Sequence, residues 1–210
     1  MRHIDLETWD RRSYFERYVG TDLPYIIITA HIDVTNLLAF TRKHGLSSYV
    51  CMVFAAHHTA ESIENFHYRT KDDRPVYFDT MYPCFTYMPE GSELFILVTM
   101  DFVDDIMAFH DNAKAHIARQ GTDPGWDDAI AKSGATIGYS GVPWIQYTHV
   151  TRTIMKFGVD SAPKITWGKY FEQGDRTLAA LSVQTHHGLM DGIHVGRFYE
   201  QMQAFIDSLA

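Results

Sequence analysis

The chain lacks what would staple it, carry it into a membrane or draw it to a polyanion. Two cysteines, Cys51 and Cys84, occur in 210 residues. That is too few for a disulfide scaffold, and the pair lacks the close spacing of a metal-binding cluster. No apolar run approaches the length of a bilayer-spanning helix. The N-terminus has no basic patch followed by an apolar stretch, so no signal peptide is read there and a cytoplasmic protein is the expectation. Lysine and arginine number 18 against 26 acidic residues, a formal net charge of −8, which argues against nucleic acid as a partner. The chain contains no GxSxG elbow, Walker loop, dinucleotide fingerprint or HExxH. Serine-hydrolase, phosphate-loop and zinc-protease chemistry therefore lack their motifs, and no metal is expected. Repeats, linkers and low-complexity segments are also missing.

What remains is 46% apolar residues spread evenly along the chain, which predicts one domain over residues 1–210 with a sizeable core. Trp9 to Tyr18 reads as a short helix. Tyr25 to Asp33 is β-rich, and Asp33 can cap a helix carrying Leu37, Leu38 and Phe40 that Gly45 closes. Ser47 or Ser48 starts a second helix. Lys71 to Pro75 reads as a hairpin loop between strands Phe66–Thr70 and Val76–Asp79. Cys84–Tyr87 and Leu94–Met100 are further strands, Asp104–Gln120 an amphipathic helix, and Trp126–Ala135 irregular. Trp144–Tyr147, Lys164–Phe171 and Thr177–Thr185 read as late strands, and a helix with Phe198, Met202 and Phe205 on one side ends the chain. This irregular alternation predicts an α+β fold of two layers, a sheet with helices mainly on one face.

The most informative segment is Gln184-Thr185-His186-His187-Gly188-Leu189-Met190-Asp191-Gly192. Its HxxxDG core arises by chance in roughly one chain in fifty of this length at ordinary residue frequencies. It also falls between a strand-like and a helix-like run, where a histidine can be held rigidly at a cleft. Asp191 and Gly192 would supply the turn chemistry. A neutral imidazole at such a turn suits general-base work, because its unperturbed pKa lies near neutrality. His187 would take the proton from an acceptor hydroxyl as that oxygen attacks a thioester carbonyl. Asp191 reads as an anchor, its carboxylate aimed back into the fold. The other histidines, His57, His58, His110 and His116 among them, show no ligand spacing and read as structural or surface residues.

The pattern resembles the chloramphenicol acetyltransferase family of coenzyme-A-dependent acyltransferases, and the similarity extends over nearly the whole chain. Val183 to Phe198 follows the family signature almost residue by residue. Trp9 to Phe15 is similar to W-x-R-[RK]-x-x-F, and Lys71-Asp72-Asp73 matches a hairpin turn. Ser140 to Trp144 resembles S-A-x-P-W, and Ile165 to Tyr170 with Gln173 to Arg176 resembles T-x-[AG]-K-Y and G-D-[RK]. The resemblance implies a large mixed sheet continuing across the interface of a homotrimer, with active sites between subunits. It implies His187 as base and Asp191 paired with Arg11. Ser140 would hydrogen-bond the oxyanion, Thr166 would act through water, and Tyr170 and Lys169 would contact coenzyme A. Tyr18, Leu23, Tyr25 and Trp144 would bind the acceptor.

The implied function is acetyl transfer from acetyl-CoA to a hydroxyl of chloramphenicol, inactivating the antibiotic, with no metal and no acyl-enzyme. Lys169, Arg176 and Arg152 are candidate partners for the phosphates of coenzyme A, although Arg152 reads as a solvated surface charge. Several positions depart from the family pattern. One extra residue falls between Tyr18 and Leu23, Arg17 stands where an aromatic is common, and Tyr25 where a small residue is common. Ser47 stands in place of a lysine, and Val50 in place of a proline. These leave two alternatives open: the same chemistry on a different small alcohol, or a trimeric ligand-binding protein without turnover.

Overall fold

The computed structural model describes residues 1–155 and 160–209. The strands are β1 (Arg2–His3), β2 (Tyr25–Asp33), β3 (Tyr68–Lys71), β4 (Arg74–Tyr77), β5 (Tyr82–Tyr87), β6 (Ile96–Thr99), β7 (Thr136–Val142), β8 (Lys164–Gly168), β9 (Phe171–Gln173) and β10 (Arg176–His186). The helices are α1 (Arg12–Val19), α2 (Thr35–His44), α3 (Ser48–Glu61), α4 (Ile106–Gln120), α5 (Ala129–Ser133) and α6 (Gly192–Asp207), with a 3-10 turn at Glu64–His67. The main sheet is mixed, in the order β2-β10-β8-β7-β5-β6 with β9 beside β10. The pairs β5–β7 and β7–β8 are parallel, and the rest antiparallel. A small sheet, β1-β4-β3, stands apart.

The sheet has two unlike faces because side chains alternate along each strand. Ile137 and Tyr139, Ile165 and Trp167, and Leu181 and Val183 point to one face. There they join Val53, Phe109, Phe198 and Met202 from the helices in one core. Helix α3 is apolar almost all round and is buried from Val50 to His57, as a helix enclosed by others must be. The opposite face carries Gly138, Ser140, Thr166, Ser182 and Gln184 at the alternate positions. Residues after β7 run across it: Tyr147 Oη donates to Thr166 O at 2.7 Å, and His149 Nδ1 lies 3.3 Å from Thr29 Oγ1. The expected α+β architecture, a large mixed sheet with helices mainly on one face, is the one observed.

Local differences have local causes. Trp144–Tyr147 is not a strand; it is a turn and covering strap after β7, and its aromatic residues face outward or onto the sheet. The strand lies earlier, at Thr136–Val142, in a segment whose glycines and single serine weaken the alternating signal. Lys164–Phe171 breaks into β8 and β9. Phe66 and His67 belong to the 3-10 turn, so the hairpin strand begins at Tyr68. The hairpin turn is where expected, with Asp72 and Asp73 at φ of 51° and 55°, a conformation that aspartate tolerates better than most residues. Gly45 closes α2 in the left-handed conformation at φ 67°.

Candidate active site

β10 ends at His186 and α6 begins at Gly192, so His187 to Asp191 form the turn between them. The turn is braced from three directions. The His187 N–H donates to Pro24 O at 2.6 Å, Asn65 Nδ2 donates to Leu189 O at 3.0 Å, and Arg11 Nη2 donates to His187 O at 3.3 Å. Gly188 is the glycine most tightly enclosed in the turn, since a Cβ there would lie 3.1 Å from the His186 ring and 3.3 Å from the Phe15 Cα. Gly192, expected to supply turn chemistry, has no left-handed φ and only ordinary contact around it.

The His187 ring is half-buried and stacks on Tyr18, with centroids 4.5 Å apart. Its Nδ1 lies 3.2 Å from Met190 O and 3.2 Å from Asp191 Oδ1. A carbonyl and a carboxylate can only accept, so Nδ1 carries the proton and Nε2 presents a lone pair. The Asp191 carboxylate spans both neighbours, because its Oδ2 accepts from Arg11 Nη1 at 2.6 Å. That guanidinium holds the Asp191 carboxyl below its ordinary pKa of 3.8. The expected aim of Asp191 back into the fold is therefore half of what the structure shows; the other half is contact with the imidazole. His186 is fully buried. It accepts from Gly188 N–H through Nδ1 at 3.1 Å, and burial pushes its pKa down to about 4.

Ser140 and Thr166 lie elsewhere. They are register partners on β7 and β8, Thr166 is opposite Ser182 on β10, and Ser182 is opposite Thr29 on β2. Hydroxyls therefore run in a row across the polar face: Thr86 Oγ1 to Ser140 Oγ is 3.0 Å, and Thr29 Oγ1 to Ser182 Oγ is 2.6 Å. Thr166 Oγ1 is buried and has no partner among the described residues. From Ser182 to the end of β10 is roughly 13 Å at a rise of about 3.3 Å per residue. The row therefore does not meet the His187 turn of the same chain.

Ser140 opens instead onto a cleft of about 570 Å³ lined by Ser47, Tyr49, Phe95, Trp144 and Arg152 among others. Trp144, 65% exposed, belongs to this cleft. Tyr18, the exposed Leu23 and the half-buried Tyr25 stand at the His187 end, Tyr25 edge-on to His186 at 6.0 Å. Lys169 is exposed, its N–H donating to Ile145 O at 2.9 Å, and Tyr170 is half-buried against the core. Ser47 caps α3 through Val50 N–H at 3.4 Å. Arg176 faces Asp33 at 3.7 Å on the exposed β9–β10 hairpin. Arg152 is not simply a solvated charge; it is half-buried in the cleft wall, with its Nη1 atom shielded from solvent. Thr86, Ser182 and Asn65 had no motif to mark them, and only strand register and turn packing bring them in.

The fold is that of acetyltransferases. The chain superposes on a solved chloramphenicol acetyltransferase with a TM-score of 0.91 at 24% identity, covering 98% of this chain and 100% of the other. It superposes on the dihydrolipoamide acetyltransferase of Azotobacter vinelandii with a TM-score of 0.65 at 16% identity, covering 92% and 85%. In sequence it is 29% identical over 205 residues to chloramphenicol acetyltransferase of Clostridium perfringens, 95% of this chain and 92% of that one. It is 28% identical over 209 residues to chloramphenicol acetyltransferase 3 of Escherichia coli, 98% and 96%. The family model for chloramphenicol acetyltransferase matches residues 1–203, and the chain belongs to that family of acyltransferases.

Proposed function

We propose that the protein, a single domain, is an acetyl-CoA-dependent O-acetyltransferase that moves acetyl directly to a hydroxyl of a small acceptor. Chloramphenicol is the first acceptor to test, since its acetylation names the relatives. The observation that carries this reading is the fixed tautomer of His187. With Nδ1 engaged by Met190 O and faced by Asp191, Nε2 is the free base. Acetyl-CoA supplies the thioester as co-substrate. Nε2 takes the hydroxyl proton while the oxygen attacks the thioester carbonyl. The same proton then leaves with the thiolate of coenzyme A, and neither a metal nor an acyl-enzyme is needed.

Ser140 donates to the developing oxyanion; with Thr86 donating to Ser140 Oγ, the serine proton stays available. One such donor is worth about 3 kcal/mol of transition-state stabilisation. Thr166, with its unpartnered hydroxyl, acts through water. Lys169 and Tyr170 contact coenzyme A. Tyr18, Leu23 and Tyr25 at the His187 end, and Trp144 at the Ser140 end, line the acceptor side. The separation of these two groups within one chain favours sites shared between subunits, and the family resemblance implies a homotrimer in which His187 of one subunit faces Ser140 and Thr166 of the next. Active-site assembly between subunits explains why a chain this size leaves Trp144 and Ile145 exposed. In a cell this activity would inactivate the antibiotic.

The test is thiol release from acetyl-CoA, followed with a chromogenic disulfide, with and without chloramphenicol. His187→Ala should lower acceptor-dependent release by about 10²- to 10⁴-fold while the protein stays folded. A variant keeping more than about a hundredth of the wild-type rate would remove His187 from the base role.

A further inference from the structure

Arg152 stands in the wall of the Ser140 cleft with no acid paired to it among the described residues. Its side chain lines that cleft beside Ser140, Thr86, Tyr87 and Phe95. The Nη1 atom is buried and finds no acceptor among the described residues. Asp160, the acid whose field reaches it, is held by Lys164 at 2.6 Å. Burial lowers the Arg152 pKa from its ordinary value, as expected of a charge taken out of water without a partner. The other buried arginine shows how this fold satisfies a structural guanidinium. Arg69 donates to the carbonyls of Phe66, Tyr68, Gly134 and Thr136 at 2.5 to 3.1 Å. Among the described residues Arg152 has no such set. Nor can its backbone readily swing aside: its N–H donates to Gln184 Oε1 at 2.8 Å, and Gln184 is itself buried on β10.

An unpaired buried cation is destabilising, and an apolar side chain of similar volume would serve stability better. Its place beside the oxyanion hydroxyl gives it a use in binding. We propose that Arg152 selects acceptor alcohols that also carry an anionic group, a carboxylate or a phosphate ester, seated in the Ser140 cleft. The inference rests on the acyl-transfer reading above. Coenzyme A also carries anions, but its pantetheine arm holds them well away from the thioester, whereas Arg152 shares one cleft with Ser140. The apolar lining from Phe95, Met88 and Trp144 suits the hydrocarbon or aromatic body that joins hydroxyl and anion.

The experiment compares matched acceptors, para-hydroxymethylbenzoate and its methyl ester, on wild type, Arg152→Leu and Arg152→Lys, with chloramphenicol as a neutral reference. In thiol-release assays wild type should favour the acid over the ester in kcat/KM by about tenfold or more, one desolvated charge pair being able to supply this. Arg152→Leu should reverse the preference and Arg152→Lys should keep part of it. A structural role would move both acceptors together, so the ratio isolates the charge. An unchanged ratio with a raised KM for acetyl-CoA would assign the arginine to the cofactor and overturn the proposal. A wild-type preference for the ester would overturn it too.

A second arm reads binding without turnover, as the shift in unfolding temperature caused by each acceptor. An acid-specific shift lost in Arg152→Leu supports the proposal even if no alcohol releases thiol, a result that would sink the acyl-transfer reading alone. Equal shifts with acid and ester reject Arg152 as the selector. Arg152→Leu itself should unfold a few degrees above wild type, since it removes an unpaired buried charge. If that variant fails to fold, Arg152→Lys carries both comparisons.

Discussion

The His187 imidazole is oriented by groups from two parts of the chain: Tyr18 of α1 on its face, and Met190 O and the Asp191 carboxylate from its own turn. Arg11 governs the last of these through its 2.6 Å bond to Asp191. Arg11→Met should therefore lower kcat more than it changes the KM for the acceptor, because it disturbs the orientation of the base and touches no acceptor. Its stability cost should be about 1 kcal/mol, the pair being partly exposed and screened. The sign of the pH dependence follows from the Asp191 carboxyl, whose folded pKa lies below the unfolded value of 3.8. The pair's contribution is present above that value and is lost as pH falls through the depressed one. Urea unfolding of wild type and Arg11→Met should thus converge as pH falls below 3.8 and through the depressed value; a gap that persists once the carboxyl is protonated would mean Arg11 stabilises by packing.

Helix α3 is bolted to the sheet by its buried His57, whose Nδ1 lies 2.9 Å from Tyr139 Oη on β7 and whose Nε2 lies 3.2 Å from Met81 O. The carbonyl only accepts, so Nε2 carries the proton and Nδ1 accepts from the tyrosine. Burial pushes the His57 pKa down to about 3 from 6.5. The unfolded chain therefore binds a proton that the folded chain refuses, and stability falls as pH drops from about 6.5 towards 3. His186, at about 4, adds to the same trend. His57→Phe should cost about 1–3 kcal/mol at neutral pH by orphaning its partners, and should flatten the acid limb between about pH 6 and 4. An unflattened limb would place the titration elsewhere.

At this scale the longer helices were legible because apolar spacing, Ser47 and Gly45 mark them; α5 was not, since it is barely one turn, Ala129–Ser133, inside the segment read as irregular. The strap around Trp144–Tyr147 was misread because β-rich composition is what a segment lying across a sheet also needs.

Across the whole molecule the site divides: the His187 turn lies at the end of β10, while Ser140 and Thr166 lie in a row crossing the middle of the sheet. The trimeric reading makes a strong prediction here. His187→Ala and Ser140→Ala chains, each inactive, should regain activity when unfolded together and reassembled. Random mixing in a closed ring with intersubunit sites would restore roughly a quarter of wild-type activity. No recovery in mixtures confirmed as trimers would place both groups in one chain's site.

By itself the sequence determined the acyltransferase family and the class of fold. A histidine with an aspartate four residues on, at a strand-to-helix turn, and the ordered blocks around it are local patterns, and local patterns survive in one dimension. The pairing of Arg11 with Asp191 was also legible, but only through family resemblance, since 180 residues separate the two. The tertiary structure alone decided that Gly188, and not Gly192, is the tightly enclosed glycine of the turn. It decided that hydroxyls from five strands fall in one row, and that Arg152 lies half-buried in a cleft wall with its Nη1 atom shielded from solvent. Each of these depends on strand register or on what packs against a side chain from far along the chain, and residue identity and spacing carry no record of either.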